Sequence, residues 1–353
     1  MGDVAVVAFA QSNFVRAETE RNEVEILMPP LHDALDAVGL AATDIGFTVS
    51  GSNDYLAGMP FSFVTALDAV GAWPPIEESH VEMDGAWALY EAWVRLQHGD
   101  IDTALVYAFG KSSMGDIGRI LSLQLDPYVV QPLWPDAIHL AALQARALLD
   151  AGQATPEQMA EVASRSRRDA LANPAAQVKH DRSPDDLLAE PMLADPLRRH
   201  DCPPISDGAA AIVLAAGDRA RDLCDRPAWI RGIDHRIEPH ALGIRDLTDS
   251  PSTRVAAQAA GVGDGPVDIA EIHAPFTHQE LILRSALGIN GDTAINPSGG
   301  ALAANPVMVT GLVRIGEAAT RLSAGAGQRA VAHATSGPCL QQNLVCVLET
   351  EAG

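Results

Sequence analysis

Short, unbroken apolar runs, separated by longer stretches of helical periodicity, set the tightest limit on how this chain can fold. Val4–Phe9, Phe47–Val49, Ala104–Phe109, Ala209–Ala215, Ala228–Ile233, Ile269–His273, Ala330–Thr335 and Leu344–Leu348 each read as a strand with little polar alternation. A strand that is apolar on both faces must be covered on both faces, and helices are what lie between these runs. The pattern therefore predicts an α/β protein with buried sheets. Glu23–Val38, Ala86–Gln97 and Met159–Leu171 are the clearest helical segments. Pro29 and Pro30 are expected to break or bend the first, because each removes a backbone donor. The third has a well-marked start, with Thr155 as cap, Pro156 in the first turn and Gln158 at the capping-box position.

Charge and length narrow the function. The chain has 353 residues, 24 Lys and Arg, 46 Asp and Glu, and a formal charge of −22. Such a charge repels a polyphosphate backbone, so a general nucleic-acid binder is excluded. No run approaches about 18 uninterrupted apolar residues, so no membrane span is expected. The opening MGDVAVVAFA lacks a basic leader segment and reads as a first strand. Cysteines stand only at 202, 224, 339 and 346, without a C-x-x-C pair. They are expected to be reduced thiols in a cytoplasmic protein, with no zinc or other metal site.

The chain also echoes itself. Asp44-Ile45 opens a strand after a helix, and so does Asp268-Ile269. Each is followed by a small-residue turn expected to open a long helix, Glu82-Met83-Asp84-Gly85-Ala86 in one case and Gly299-Gly300-Ala301-Leu302 in the other. Two similar halves are expected, at 1–110 and 201–353, with an inserted helical, arginine-bearing region at 111–200.

Several segments resemble the thiolase superfamily, in its lipid-transfer-protein or sterol-carrier-thiolase branch. They are Asp201-Cys202-Pro203-Pro204-Ile205-Ser206-Asp207-Gly208-Ala209, Asn173-Pro174-Ala175-Ala176-Gln177, Ser183-Pro184-Asp185-Asp186-Leu187-Leu188, Glu271-Ile272-His273-Ala274-Pro275-Phe276 and Asn296-Pro297-Ser298-Gly299-Gly300. The resemblance implies two βαβαβαββ halves in five layers, α-β-α-β-α, and a homodimer.

The chemistry departs from that pattern. The resemblance places the family's nucleophilic cysteine at Glu82, and no cysteine precedes Cys202. Where the family has Gly-His-Pro, this chain has Ala304-Asn305-Pro306. Where the branch has His-Asp-Cys-Phe, it has His273-Ala274-Pro275-Phe276. Thiolysis runs through an acyl-cysteine, and a carboxylate is a far weaker nucleophile toward a thioester, so ordinary thiolase activity is not expected.

What survives is a means of holding a thioester enolate. His273 and Asn305 can each present an N–H to the oxygen. Such a site suits retro-aldol cleavage of a β-hydroxyacyl-CoA, and the resemblance extends to steroid side-chain aldolases that work with a small DUF35/OB-fold partner. The base would be His273 or Glu82, with Glu82 envisaged at a helix N-terminus inside a closed pocket. His278 is expected to face elsewhere. Gly299 and Gly300 are expected to allow close approach of backbone to ligand or tight helix packing. Ser336 and Gly337 lie in the loop that the resemblance places at the substrate, and Cys339 there is the alternative nucleophile. Arg165 and Arg168 are the expected contacts for CoA phosphates; coenzyme A enters as part of the substrate and no other cofactor is expected. A non-catalytic acyl-CoA-binding subunit is the competing reading.

Overall fold

The computed structural model describes residues 2–289 and 291–353. Ten strands form one hydrogen-bonded run whose two halves have the same plan. In the first half, β1 (Val4–Gln11), β2 (Phe47–Gly51), β3 (Glu78–Val81), β4 (Thr103–Lys111) and β7 (Asp207–Ala216) stand in the order β3-β2-β4-β7-β1. In the second, β8 (Ala228–Ile237), β9 (Ile269–Ile272), β10 (Ala294–Ile295), β11 (Arg329–Ser336) and β12 (Gln342–Glu349) stand in the order β10-β9-β11-β12-β8. In each half the three strands at the outer edge pair in parallel and the remaining pairings are antiparallel. Among the described residues the two half-sheets are hydrogen-bonded to each other where Ala5 and Val6 of β1 pair with Trp229 and Ala228 of β8. The repeated Asp-Ile segments therefore lead into equivalent strands, β2 and β9.

Five layers follow from which side chains are buried together. The longer helices are α1 (Glu23–Asp36), α2 (Ser62–Val70), α3 (Gly85–Leu96), α4 (Ala137–Asp150), α5 (Pro156–Asp169), α6 (Pro251–Ala260), α7 (Thr277–Leu287) and α8 (Thr310–Ser323). Helices α3 and α8 lie between the two sheets, where Leu89, Leu312 and Ile315 meet Val106, Ile212, Ala332 and Leu344. Leu27, Leu31 and Ala66 of α1 and α2 cover the far face of the first sheet against Leu105, Tyr107 and Val213. Ala257, Ile282 and Leu283 of α6 and α7 do the same for the second, against Ile272, Val331 and Val345. Each such side chain, buried fully, contributes about 1.5–3 kcal/mol.

Between β4 and β7 the chain forms α4, α5, shorter helical turns and a small hairpin of β5 (Met192–Ala194) and β6 (Leu197–Arg198), a strand pair that the sequence pattern did not suggest. The box at Thr155 and Gln158 forms as expected. Two expectations need correction. Helix α1 runs through Pro29 and Pro30 to Asp36, because Ile26, Leu27, Leu31 and Leu35 are buried on one face and that packing outweighs the missing backbone bonds. The glycine turn at 299–300 opens only a four-residue helix, Gly300–Ala303, and the long helix of the second half begins at Thr310.

Candidate functional site

Strand alternation sends Ile269, Glu271 and His273 toward the central helices and Ala270 and Ile272 toward the outer ones. A carboxylate on an inward face needs a partner, and α8 supplies it. Arg314 Nη1 donates to Glu271 Oε2 at 2.6 Å and to Ser298 Oγ at 2.5 Å; Ser298 donates to Glu271 through its backbone N–H (3.0 Å) and its hydroxyl (2.6 Å). Burial pushes the Glu271 carboxyl up, and Arg314 opposes that. This pair locks the glycine turn, β9 and α8 together two residues before His273. Sequence reading missed it. The signal was present as a single acidic residue inside an apolar strand.

His273 is buried at the end of β9. Its Nδ1 accepts the Thr335 backbone N–H at 3.3 Å, which places the ring proton on Nε2. Nε2 lies 3.3 Å from Asn305 Oδ1 and donates to it. Burial, with His333 and Arg314 nearby, holds the imidazole down to about 3, so it is neutral at pH 7. Asn305 follows the Gly300–Ala303 turn. Its backbone N–H donates to Ser206 Oγ at 3.0 Å, and its Oδ1 also accepts from Thr310 Oγ1 at 3.1 Å. Oδ1 is taken by two donors, and the amide Nδ2 of this half-buried residue makes no hydrogen bond among the described residues.

The structure thus brings His273 and Asn305 together. It does not join Glu82 to them by any hydrogen bond among the described residues. Glu82 is not the helix N-terminal residue in a closed pocket that the sequence suggested. Its side chain is 47% exposed, accepts the Asp54 backbone N–H at 2.8 Å and pairs with His80 at 3.3 Å. The cap of α3 is Asp84, two residues on and buried. Its carboxylate accepts from Ala86 N (2.9 Å), Gly311 N (2.9 Å) and Leu312 N (3.1 Å), so one side chain terminates both central helices. Burial raises this carboxyl, whereas the three N–H groups and Arg314 pull it down.

The remaining sequence candidates divide. Ser336 and Gly337 are half-buried where β11 ends, next to the Thr335 that holds His273. Gly337 has φ 73°, and a Cβ there would meet Gln341 Oε1 at 2.7 Å. Gly299 and Gly300 also have positive φ, and their hydrogens face Ala170 and Asn296, so close protein packing alone accounts for them. Arg165 pairs with buried Glu280 at 2.6 Å and Arg168 is exposed; neither bonds to His273 or Asn305. His278 faces away, toward Gln144 on α4. Cys339 does not suit a nucleophile. It is buried against Leu125 and Leu140, its Sγ bonds to the Leu140 carbonyl at 3.5 Å, and burial raises its thiol to about 11.

The buried imidazoles make stability depend on pH. His273 and His278 are held down to about 3, and His333 to about 4, each first by burial. In the unfolded chain each would titrate near 6.5, so below that pH the unfolded state binds more protons. Their contribution is complete above about pH 6.5 and is lost as pH falls toward 4. Each should cost roughly 1 kcal/mol of stability between pH 7 and 5.5. Urea unfolding at the two pH values should give a clearly lower midpoint at 5.5; an equal or higher one would contradict the burial of these rings.

No protein-family model matches the chain. An acetyl-CoA acetyltransferase of Methanothermobacter thermautotrophicus is 33% identical over 221 residues, 56% of this chain and 58% of that one. Sterol carrier protein 2 of Bos taurus is 25% identical over 298 residues, 70% of this chain and 52% of its own length. The chain thus spans between half and three fifths of these relatives. Among solved structures, an aldolase named Ltp2-ChsH2(DUF35) superposes with a TM-score of 0.83 at 20% identity, covering 99% of this chain and 98% of that one. Human mitochondrial 3-ketoacyl-CoA thiolase superposes with a TM-score of 0.77 at 16% identity, covering 99% of both.

Proposed function

We propose, from the premise that the chain belongs to the thiolase superfamily in its sterol-carrier-like branch, that it cleaves the Cα–Cβ bond of a β-hydroxyacyl-CoA by a retro-aldol reaction. The observation that carries this reading is the state of Asn305. Thr310 and His273 both donate to its Oδ1, so its Nδ2 is oriented outward beside the His273 Nε2–H. A preset amide donor held in this way suits a thioester oxygen as it gains charge.

In the reaction a base removes the β-hydroxyl proton and that oxygen becomes a carbonyl. The Cα–Cβ electron pair moves to Cα and is held as the thioester enolate, which Cα protonation then quenches. The products are a ketone or aldehyde and a shortened acyl-CoA. His273 is not the base in this reading, because its acceptor nitrogen is already used by Thr335 and its ring resists protonation; its Nε2–H instead orients the Asn305 amide. That leaves Glu82 as the candidate base, on a carboxylate fixed by Asp54 and His80. A bulky steroid side chain is the proposed acyl group, supported by the likeness to sterol carrier protein 2 and by the aldolase fold neighbour. A small DUF35-type partner and a homodimer belong to the same reading. Arg168 is its phosphate handle, since Arg165 is committed to Glu280.

The exposure of Glu82 favours a second reading, a non-catalytic acyl-CoA-binding subunit that supports a partner enzyme. Incubation with a β-hydroxy-steroid-CoA, with and without a DUF35-type protein, separates the two. Release of a ketone is expected under the first. No ketone in either mixture, with CoA binding retained, would leave the second.

A further inference from the structure

Residues 337–341 turn the chain from β11 into β12 beyond the paired Ser336 and Gln342. Gly337, Cys339 and Leu340 all lie in the left-handed region, with φ of 73°, 52° and 61°. Glycine takes that conformation freely. Cysteine and leucine do not, because Cβ crowds the following carbonyl oxygen. Such backbone persists only where its surroundings over-determine it.

Here four successive carbonyls are captured. Arg245 Nη1 donates to the Pro338 carbonyl at 3.0 Å, and Arg245 Nη2 donates to that of Cys339. Asn343 Nδ2 donates to the Leu340 carbonyl at 2.8 Å, and the Glu238 backbone N–H to that of Gln341 at 2.8 Å. Arg245 is itself fixed. Its side chain is 3% exposed, and its Nε donates to Glu238 Oε2 at 3.4 Å. The other Glu238 oxygen accepts from the backbone N–H (3.1 Å) and hydroxyl (2.6 Å) of Ser252 on α6. A guanidinium presents its donors in one rigid plane, so a single side chain spans two carbonyls and a carboxylate at once; an ammonium on a flexible stem does not.

The turn is coupled to the site at its near end. Thr335, whose backbone N–H is bonded to His273 Nδ1, lies two residues before Gly337. From Asn343 a second line runs back to the same strand, since His333 Nε2 donates to Asn343 Oδ1 at 3.0 Å and the His333 carbonyl accepts the His273 backbone N–H at 3.2 Å.

We propose that Arg245 is a positioning residue: paired with Glu238, it clamps the 337–341 turn in its left-handed course and so keeps Thr335 on the His273 imidazole, acting through the turn and not on the substrate. The consequence for carbon–carbon cleavage rests on the function proposed above; the clamp itself does not. The turn carries its own reporter in the buried Cys339 thiol. Native alkylation with iodoacetamide, read peptide by peptide by mass spectrometry, tests the clamp in Arg245→Met, Arg245→Lys and Glu238→Gln. Each is made in a Cys224→Ser background, because Cys224 is the one half-buried cysteine. The charge of Arg245 lowers the Cys339 thiol, so its loss alone would slow alkylation, and faster alkylation reports an opened turn.

Cys339 should react at least about tenfold faster in Arg245→Met, the factor carried by one hydrogen bond to a charged group. Arg245→Lys should fall between that and the parent, while Cys202 and Cys346 keep their parent rates. In the cleavage assay kcat should fall about 10- to 100-fold with KM near that of wild type, the effect of a displaced site and not of a lost contact to substrate. An unchanged Cys339 rate in both Arg245→Met and Glu238→Gln overturns the proposal. So does an equal rise at all three cysteines, which reports general loosening, or an opened turn with kcat unchanged. A wild type that cleaves nothing fails the function proposed above, and the alkylation rates still decide the clamp. Glu238→Gln keeps an acceptor for Ser252 and removes only the charge that Arg245 faces, so it stands as the test if Arg245→Met does not fold.

Discussion

Asn305→Asp is expected to lower the rate of carbon–carbon cleavage by about 100- to 1000-fold, the scale on which single oxyanion donors act. The substitution keeps the shape of the side chain. One carboxylate oxygen can still accept from Thr310 and His273, as Oδ1 does now. The other replaces the outward N–H₂ with a negative charge, at the point where the enolate oxygen needs a donor. Asn305→Ala removes the donor without adding charge and should lose less than Asn305→Asp. Loss of the donor acts on the chemical step, so kcat should fall while the thermal midpoint stays near wild type. Turnover of Asn305→Asp within a few-fold of wild type would remove Asn305 from the stabilisation of charge.

The largest expected effect on stability comes from Arg314→Met. Glu271 and Arg314 are both buried, and Arg314 also holds Ser298. Removing the nearer cation leaves a carboxylate inside a closed core with only Arg321, 4.0 Å away, as counter-charge, at a cost of about 3–5 kcal/mol. Whole domains have only about 5–15 kcal/mol to lose. Urea unfolding should therefore show a large drop in midpoint. The double variant Glu271→Gln with Arg314→Met should recover part of it, because the stranded charge is then gone. A single variant within about 1 kcal/mol of wild type would show that the pair does not hold β9 to α8.

How far the site was legible can be traced residue by residue. His273 and Asn305 stand out in the sequence because each occupies a position with chemical consequences in the family that the chain resembles, and the structure brings them within 3.3 Å. Which ring nitrogen carries the proton could not be read there. It depends on the Thr335 backbone N–H, which lies 62 residues away on the neighbouring strand. Glu82 was misplaced for a similar reason. Position in sequence put it near the start of α3, but the helix is capped by Asp84, whose three backbone donors come from both central helices at once.

The sequence alone determined the local and periodic features: strands apolar on both faces, the capping box at Thr155, the doubled Asp-Ile entry and the missing cysteine. These depend on neighbours a few residues apart, so they are written in the chain order. Only the tertiary structure decided which charges are spent and which are free. Arg165 and Arg168 look alike in sequence, yet Arg165 neutralises Glu280, 115 residues away, and Arg168 does not. Burial makes a charge seek a partner, and burial is a property of the packed molecule.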